Sequence, residues 1–184
     1  MPGICKLAFQ ITYMPITKPP ENEYAPYYHT YIGKVPQNDL LEALKDSHRK
    51  VLAFLQEIPV EKHTYRYAQG KWSITEVLQH MLDCERVFVY RALVFARNDK
   101  TPLPGFDEDA YATEYNADKR GMDLLLEEYK HLRESNILLF EGFSDEVSLR
   151  MGMANGQGIS VRALGFIISG HELHHMQVLK ERYL

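Results

Sequence analysis

Four stretches of this chain carry apolar residues three and four positions apart, a period that suits an amphipathic helix and not a strand. From about Asn38 to Ile58 the inward set is Leu41, Leu44, His48, Val51, Leu55 and Ile58, and Pro59 stops the run. Ser73-Ile74-Thr75-Glu76 then reads as a capping box, opening a helix that reaches about Arg97. Its inward face carries Val77, His80, Met81, Cys84, Phe88 and Arg91. A third helix is predicted from about Ala117 to Glu141, with Met122, Leu125, Leu126, Tyr129, Leu132, Asn136 and Leu139 inward and Gly142 as its C-cap. Ser160 caps the last, whose face holds Leu164, Ile167, Ile168, His171, His174, His175 and Val178. These stripes predict an all-α protein, a four-helix bundle.

Residues 1–36 read differently. They hold six of the nine prolines together with Tyr24, Tyr27, Tyr28 and Tyr31, and proline fixes φ and removes donors, so an extended N-terminal arm is expected there, packed across the bundle of residues 37–184. Met14 is a second candidate for the natural start. The connection from Asn98 to Asn116 is longer than the 2–8 residues usual between bundle helices. A crossover of that length can return the chain along the second helix, leaving helices two and three parallel and helix four antiparallel to both. Val147, Leu149 and Met151 alternate with polar residues ahead of Asn155-Gly156, which allows a small hairpin.

The chemistry concentrates in Ser169-Gly170-His171-Glu172-Leu173-His174-His175-Met176. His171 and His175, four apart, lie about 40° apart around a helix and one turn along it, the spacing at which two imidazoles share one metal ion. The letters spell H-E-x-x-H, in which the Glu is a metallopeptidase's general base. The extended signature would need Gly and His where Val178 and Glu181 stand. A third ligand must come from upstream, and His80 is the best candidate. With helices two and four antiparallel, His80, about 10 Å into helix two, and His175, about 13 Å from the end of helix four, share one level. Cys84, one turn past His80, reads as a buried core thiol, with closure of a fourth coordination position as the alternative. Glu172 is the candidate catalytic residue, as local base or as partner of a ligand, against an ion-paired carboxylate. Asp83 could orient an imidazole, His174 sits beside the pair, His48 reads as a hydrogen-bonded core histidine, and Arg91 either holds a substrate anion or lies along the bundle edge.

A net charge of −4 gives no basic footprint, which argues against nucleic acid. No apolar run approaches the ~20 residues of a membrane span, and the first residues, interrupted by Lys6 and Gln10, do not read as a signal peptide. With Cys5 and Cys84 too few for a disulfide framework, a reducing cytoplasm is the expected compartment.

Gly70-Lys71-Trp72-Ser73-Ile74-Thr75-Glu76-Val77-Leu78-Gln79-His80, followed at a distance by His171-Glu172-Leu173-His174-His175, resembles the DinB/YfiT-like superfamily of metal-dependent enzymes. Asn22-Glu23-Tyr24-Ala25-Pro26-Tyr27-Tyr28 and Leu103-Pro104-Gly105-Phe106-Asp107-Glu108 fit the same group, and the likeness covers roughly residues 14–184. It implies an up-down-down-up four-helix bundle and a divalent metal on His80, His171 and His175, a ligand set of three neutral imidazoles that suits zinc or nickel. It further implies a homodimer and, in some members, a low-molecular-weight thiol as cosubstrate. The expected function is a metalloenzyme that activates a thiol or a water for transfer to a small electrophile, as S-transferase or hydrolase. The alternative is a non-catalytic, metal-stabilised binding or stress-response module.

Overall fold

The computed structural model describes residues 15–184; Cys5 and the question of Met14 as the start lie outside them. The bundle consists of α1 (Leu40–Gln56), α2 (Ile74–Ala96), α3 (Met122–Glu141) and α4 (Val161–Arg182). Asp39, Ser73 and Ser160 each accept a backbone N–H from the first turn of the helix they precede, and Ser73 with Glu76 completes the capping box.

Cross-helix contacts give the direction of each rod. On α2 and α3, Arg86 meets Glu128 and Glu85 meets Arg133 and Asn136, while Gln79 takes Arg120 just before α3, so the two helices run parallel. On α1 and α3, His48 lies against Tyr129 and Lys45 pairs with Glu141, an antiparallel order. On α2 and α4, the Trp72 carbonyl takes the Tyr183 hydroxyl and Phe88 faces His171, again antiparallel. Leu40 beside Gly165 and Lys180 over Phe54 make α1 and α4 parallel. The topology is up-down-down-up, as expected from the length of the crossover.

The core is two apolar clusters set end to end. One gathers the start of α1 and α4 with the end of α2 and α3; the other gathers the opposite ends around Val51, Leu78, Leu82, Leu125 and Leu179. Between them lie the buried polar residues His80, Glu85, Arg133, Asn136, His171 and Glu172. The candidate site thus sits at mid-height, where the apolar packing is interrupted.

Three elements differ from the sequence reading. The third helix is broken: a separate turn, Ala117–Arg120, ends at Gly121, whose φ of +79° takes the chain out of the helix before α3 begins. The arm is not extended throughout. Pro26–Tyr28 is a 3-10 turn that runs into the helical turn His29–Ile32, with Pro26 in the first-turn position where a missing N–H costs nothing. Ile16, Tyr24, Ile32 and Val35 are buried in the first core cluster, so this segment belongs to the bundle's packing. The hairpin is present, displaced towards the C-terminus as β1 (Met151–Ala154) and β2 (Gln157–Ser160), because Val147 belongs to a helical turn, Asp145–Ser148. Asn155 and Gly156 supply the two positive φ values of its turn, +50° and +70°.

The hairpin also fixes the crossover. Leu103 exchanges backbone hydrogen bonds with Met153 and Asn155, at 2.9 and 3.0 Å. The crossover then folds into a short helix, Glu108–Thr113, capped by Asp107, which lies over the level of the histidines. No helix among the described residues is long and apolar enough to cross a membrane.

Close approach of the His29–Ile32 turn to α4 depends on Gly170, where a Cβ would stand 2.1 Å from the Tyr31 carbonyl oxygen. Gly170→Ala should therefore destabilise the chain by about 1–3 kcal/mol even though alanine is the better helix former. Urea unfolding checks this, and an unchanged or raised midpoint would contradict it.

Candidate metal centre

His80 on α2 and His171 on α4 bring their Nε2 atoms to 3.2 Å, and His175, one turn beyond, brings its own to 3.1 Å from that of His171. The ligand atoms of the three rings all lie within 4.8 Å of one another. A neutral imidazole nitrogen is either a donor or an acceptor. The Nε2 of His171 therefore cannot form a well-directed hydrogen bond with both neighbours at once. A cation at the common centre satisfies all three lone pairs. Separations of 3.1–3.2 Å from His171 to each neighbour would suit two imidazoles bound to one ion at the 2.0–2.1 Å typical of zinc. The residues fit a divalent ion.

The rings are held by their neighbours. Trp72 packs over His80 at 4.7 Å between centroids; Tyr31 meets His171 edge-on at 5.2 Å, and Phe88 does so at 6.1 Å. Burial pushes His80 down to about 4 and holds His171 and His175 well below the ordinary histidine value, with the mutual repulsion of the cluster adding to it. All three are neutral at physiological pH, the form in which imidazole binds metal.

Beside the rings runs a buried ion network. Arg133 of α3, 1% exposed, donates from Nε and Nη2 to Glu85 of α2 at 2.8 and 2.9 Å and from Nη1 to Glu172 of α4 at 2.5 Å. The Tyr129 hydroxyl donates to the other oxygen of Glu172, and Asn136 donates to Glu85 at 2.9 Å. Both carboxylates hold Arg133 firmly protonated against its burial. Glu172 thus stands beside His171 in sequence, yet both of its oxygens are committed to α3.

The remaining candidates are placed as follows. Cys84 Sγ lies 3.6 Å from both ring nitrogens of His80 but outside the three-histidine group, and burial pushes its thiol up. Asp83 does not orient an imidazole: it accepts from Gln79 at 3.0 Å and faces Arg86. His48 is not hydrogen-bonded through its buried Nδ1, and its ring rests against Tyr129 instead. His174 is half-buried against Tyr31 and His175. Arg91 is buried rather than lying along the bundle edge.

Sequence reasoning missed Glu108. A carboxylate oxygen of this exposed residue lies within 4.8 Å of ligand atoms of His80 and Cys84, and among the described residues no hydrogen bond or ion pair ties it down. Partial desolvation and the charges of Asp109 and Asp107 push it up. The available signal was the unexplained length of the crossover that carries it. Two cavities flank the histidines. One, of about 460 Å³, is lined by His171, Cys84, Tyr28, Tyr31, Arg91 and Glu108, among others. The other, of about 280 Å³, includes Trp72, His174 and His175.

An all-α bundle with three imidazoles converging at its mid-height between two cavities defines a class of candidate metalloproteins. The model of the DinB superfamily matches residues 43–179, and the chain belongs to that superfamily. Among solved structures it is similar to YfiT from Bacillus subtilis, described as a probable metal-dependent hydrolase with an unusual four-helix bundle topology. That likeness has a TM-score of 0.67 and 16% identity, over 77% of this chain and 82% of the other, and it carries the fold. Comparison with curated proteins gives no match.

Acid should weaken the metal-free chain. His48, pushed down to about 4 by burial and by Arg133, joins the three clustered histidines in staying neutral where an unfolded histidine, at about 6.5, takes up a proton. The unfolded chain then binds more protons than the folded one, so stability falls as pH falls from about 6.5 towards 4. Denaturant midpoints measured across that window check this; a flat profile would contradict it.

Proposed function

We propose that this chain is a metal-dependent enzyme in which His80, His171 and His175 hold one divalent ion, zinc or nickel, beside a cavity for a small electrophilic substrate. The observation that carries the reading is the approach of three neutral imidazole nitrogens on two antiparallel helices, with cavities on either side. A divalent ion there would supply Lewis acidity, lowering the pKa of a coordinated water or thiol towards neutrality. The protein's own share is to hold the rings neutral and aligned, to shield the centre with Trp72, Tyr31 and Phe88, and to provide a proton acceptor.

Glu108 is placed for that last role. Its carboxylate lies near His80 with no hydrogen-bond or ion-pair partner among the described residues, whereas Glu172 is engaged by Arg133 and Tyr129. We read Glu172 as a positioning residue that fixes His171, and Glu108 as the group that takes the proton. Hydrolysis is the form favoured by similarity to YfiT, itself described as a probable metal-dependent hydrolase. Transfer of a low-molecular-weight thiol uses the same parts with a thiol as nucleophile. A non-catalytic module would call for a closed coordination sphere, and Cys84, the residue best able to close it, falls outside the three-histidine group.

His80→Ala and His171→Ala should each abolish stoichiometric metal binding while leaving the helical signal, and elemental analysis finding metal unchanged in both would remove the assignment. Glu108→Gln should keep the metal and lower kcat by about 10²–10⁴ on whichever substrate a panel of esters, amides and thiol–electrophile pairs identifies. A kcat equal to that of the unaltered chain would take the proton-acceptor role away from Glu108.

A further inference from the structure

Among the described residues the fold buries two arginines, and they are treated differently. Arg133 is enclosed by two carboxylates. Arg91 is 4% exposed, and among the described residues no carboxylate lies within ion-pair distance of it. Its Nη2 donates to the Pro104 carbonyl at 2.8 Å, its guanidinium lies 5.9 Å from the Phe106 ring centre, and the Tyr28 hydroxyl is beside it. Arginine cannot shed its charge in a protein, and of its five N–H donors the Pro104 carbonyl and the Tyr28 hydroxyl, both uncharged, take two. A buried charge without a counter-ion is costly. The residue lines the 460 Å³ cavity that also contains His171 and Cys84, with Tyr27 and Tyr31 on its wall. The missing anion therefore has a place to sit, on the same cavity wall as one of the clustered histidines.

We infer that Arg91 is a specificity-determining residue that holds the carboxylate of the substrate or cosubstrate in this cavity. The planar guanidinium fork matches a carboxylate in two parallel hydrogen bonds. Asp107, Glu108 and Asp109 also line the cavity. These three carboxylates repel any anion held by the single arginine, and a dianion such as a phosphate monoester more than a monoanion, so a small monocarboxylate bound directly on the guanidinium is the anion they oppose least. The alternative for Arg91 is a purely mechanical one, a tether that ties the crossover to α2 through Pro104. That role would be indifferent to the charge of a ligand.

This inference deepens the metalloenzyme reading and uses the same cavity, but its test does not depend on the metal. ω-Mercapto acids of two to four carbons and their amides are titrated calorimetrically into the metal-free and the zinc-loaded chain. At least one acid should bind about ten-fold or more tighter than its amide to both forms. Arg91→Met should bring that ratio to about one while leaving the amide's affinity unchanged. An acid that binds no tighter than its amide to either form, or a preference that survives Arg91→Met, overturns the inference. Should Arg91→Met fail to fold, the ratio in the unaltered chain still decides. A chain that keeps the acid preference but takes up no zinc supports the anion site and counts against the three-histidine centre alone.

Discussion

The arrangement depends on one buried cation. Arg133, in the middle of α3, bonds to Glu85 on α2 and Glu172 on α4. Those are the helices that carry the clustered histidines, and the contacts lie close to them: Glu172 follows His171 directly, and Glu85 is five residues past His80. A charge this deeply buried is tolerable only when its donors are met. Here Nε and both Nη groups reach oxygens, and Tyr129 and Asn136 donate to the same two carboxylates. Sliding α4 along α2 by one turn would strand the Glu172 carboxylate and leave the Nη1 of Arg133 unmet. The network thus fixes the relative height of the rods, and with it the meeting of the imidazoles.

Topology makes the meeting possible. Because the crossover returns the chain along α2, α4 runs antiparallel to α2, and a residue near the start of one rod faces a residue near the end of the other. The His80 ring centre comes within 4.8 Å of that of His175 and 5.1 Å of that of His171. The crossover also contributes chemistry. Pinned to the hairpin at Leu103, it lays Glu108 beside His80 and Pro104 against Arg91. Buried polar residues, His80, Glu85, Arg133 and Glu172 among them, occupy the break between the two apolar clusters.

Much of this was legible in the residues because it follows from period and spacing. The stripes of α1, α2 and α4 located those helices, and the separation of His171 from His175 needed only a helix to put both on one face. His80 followed from helix direction and rise per residue. What stayed hidden depended on partners remote in sequence. Nothing in the period marks Arg133 or Glu85 as buried until three rods are assembled around them; Leu132 packs against the core as its stripe predicts, but Arg133 beside it is the fully enclosed residue. The positive φ of Gly121 divided a stripe that looked continuous. Glu108 lies in one of the stretches that carry the family resemblance, yet only the folding of the crossover over the site brings its carboxylate near His80. His48 shows the reverse case, a core position correctly located whose ring nitrogen finds no hydrogen bond.

The central claim is that three imidazole nitrogens, and no thiol, surround one cation between α2 and α4. X-ray absorption at the metal edge of the zinc- or nickel-loaded chain measures that coordination shell directly. The account expects nitrogen or oxygen scatterers alone, with three imidazoles among them, at about 2.0–2.1 Å for zinc. A sulfur scatterer at about 2.3 Å would bring Cys84 into the shell, and fewer than three imidazoles would dissolve it; either would contradict the account.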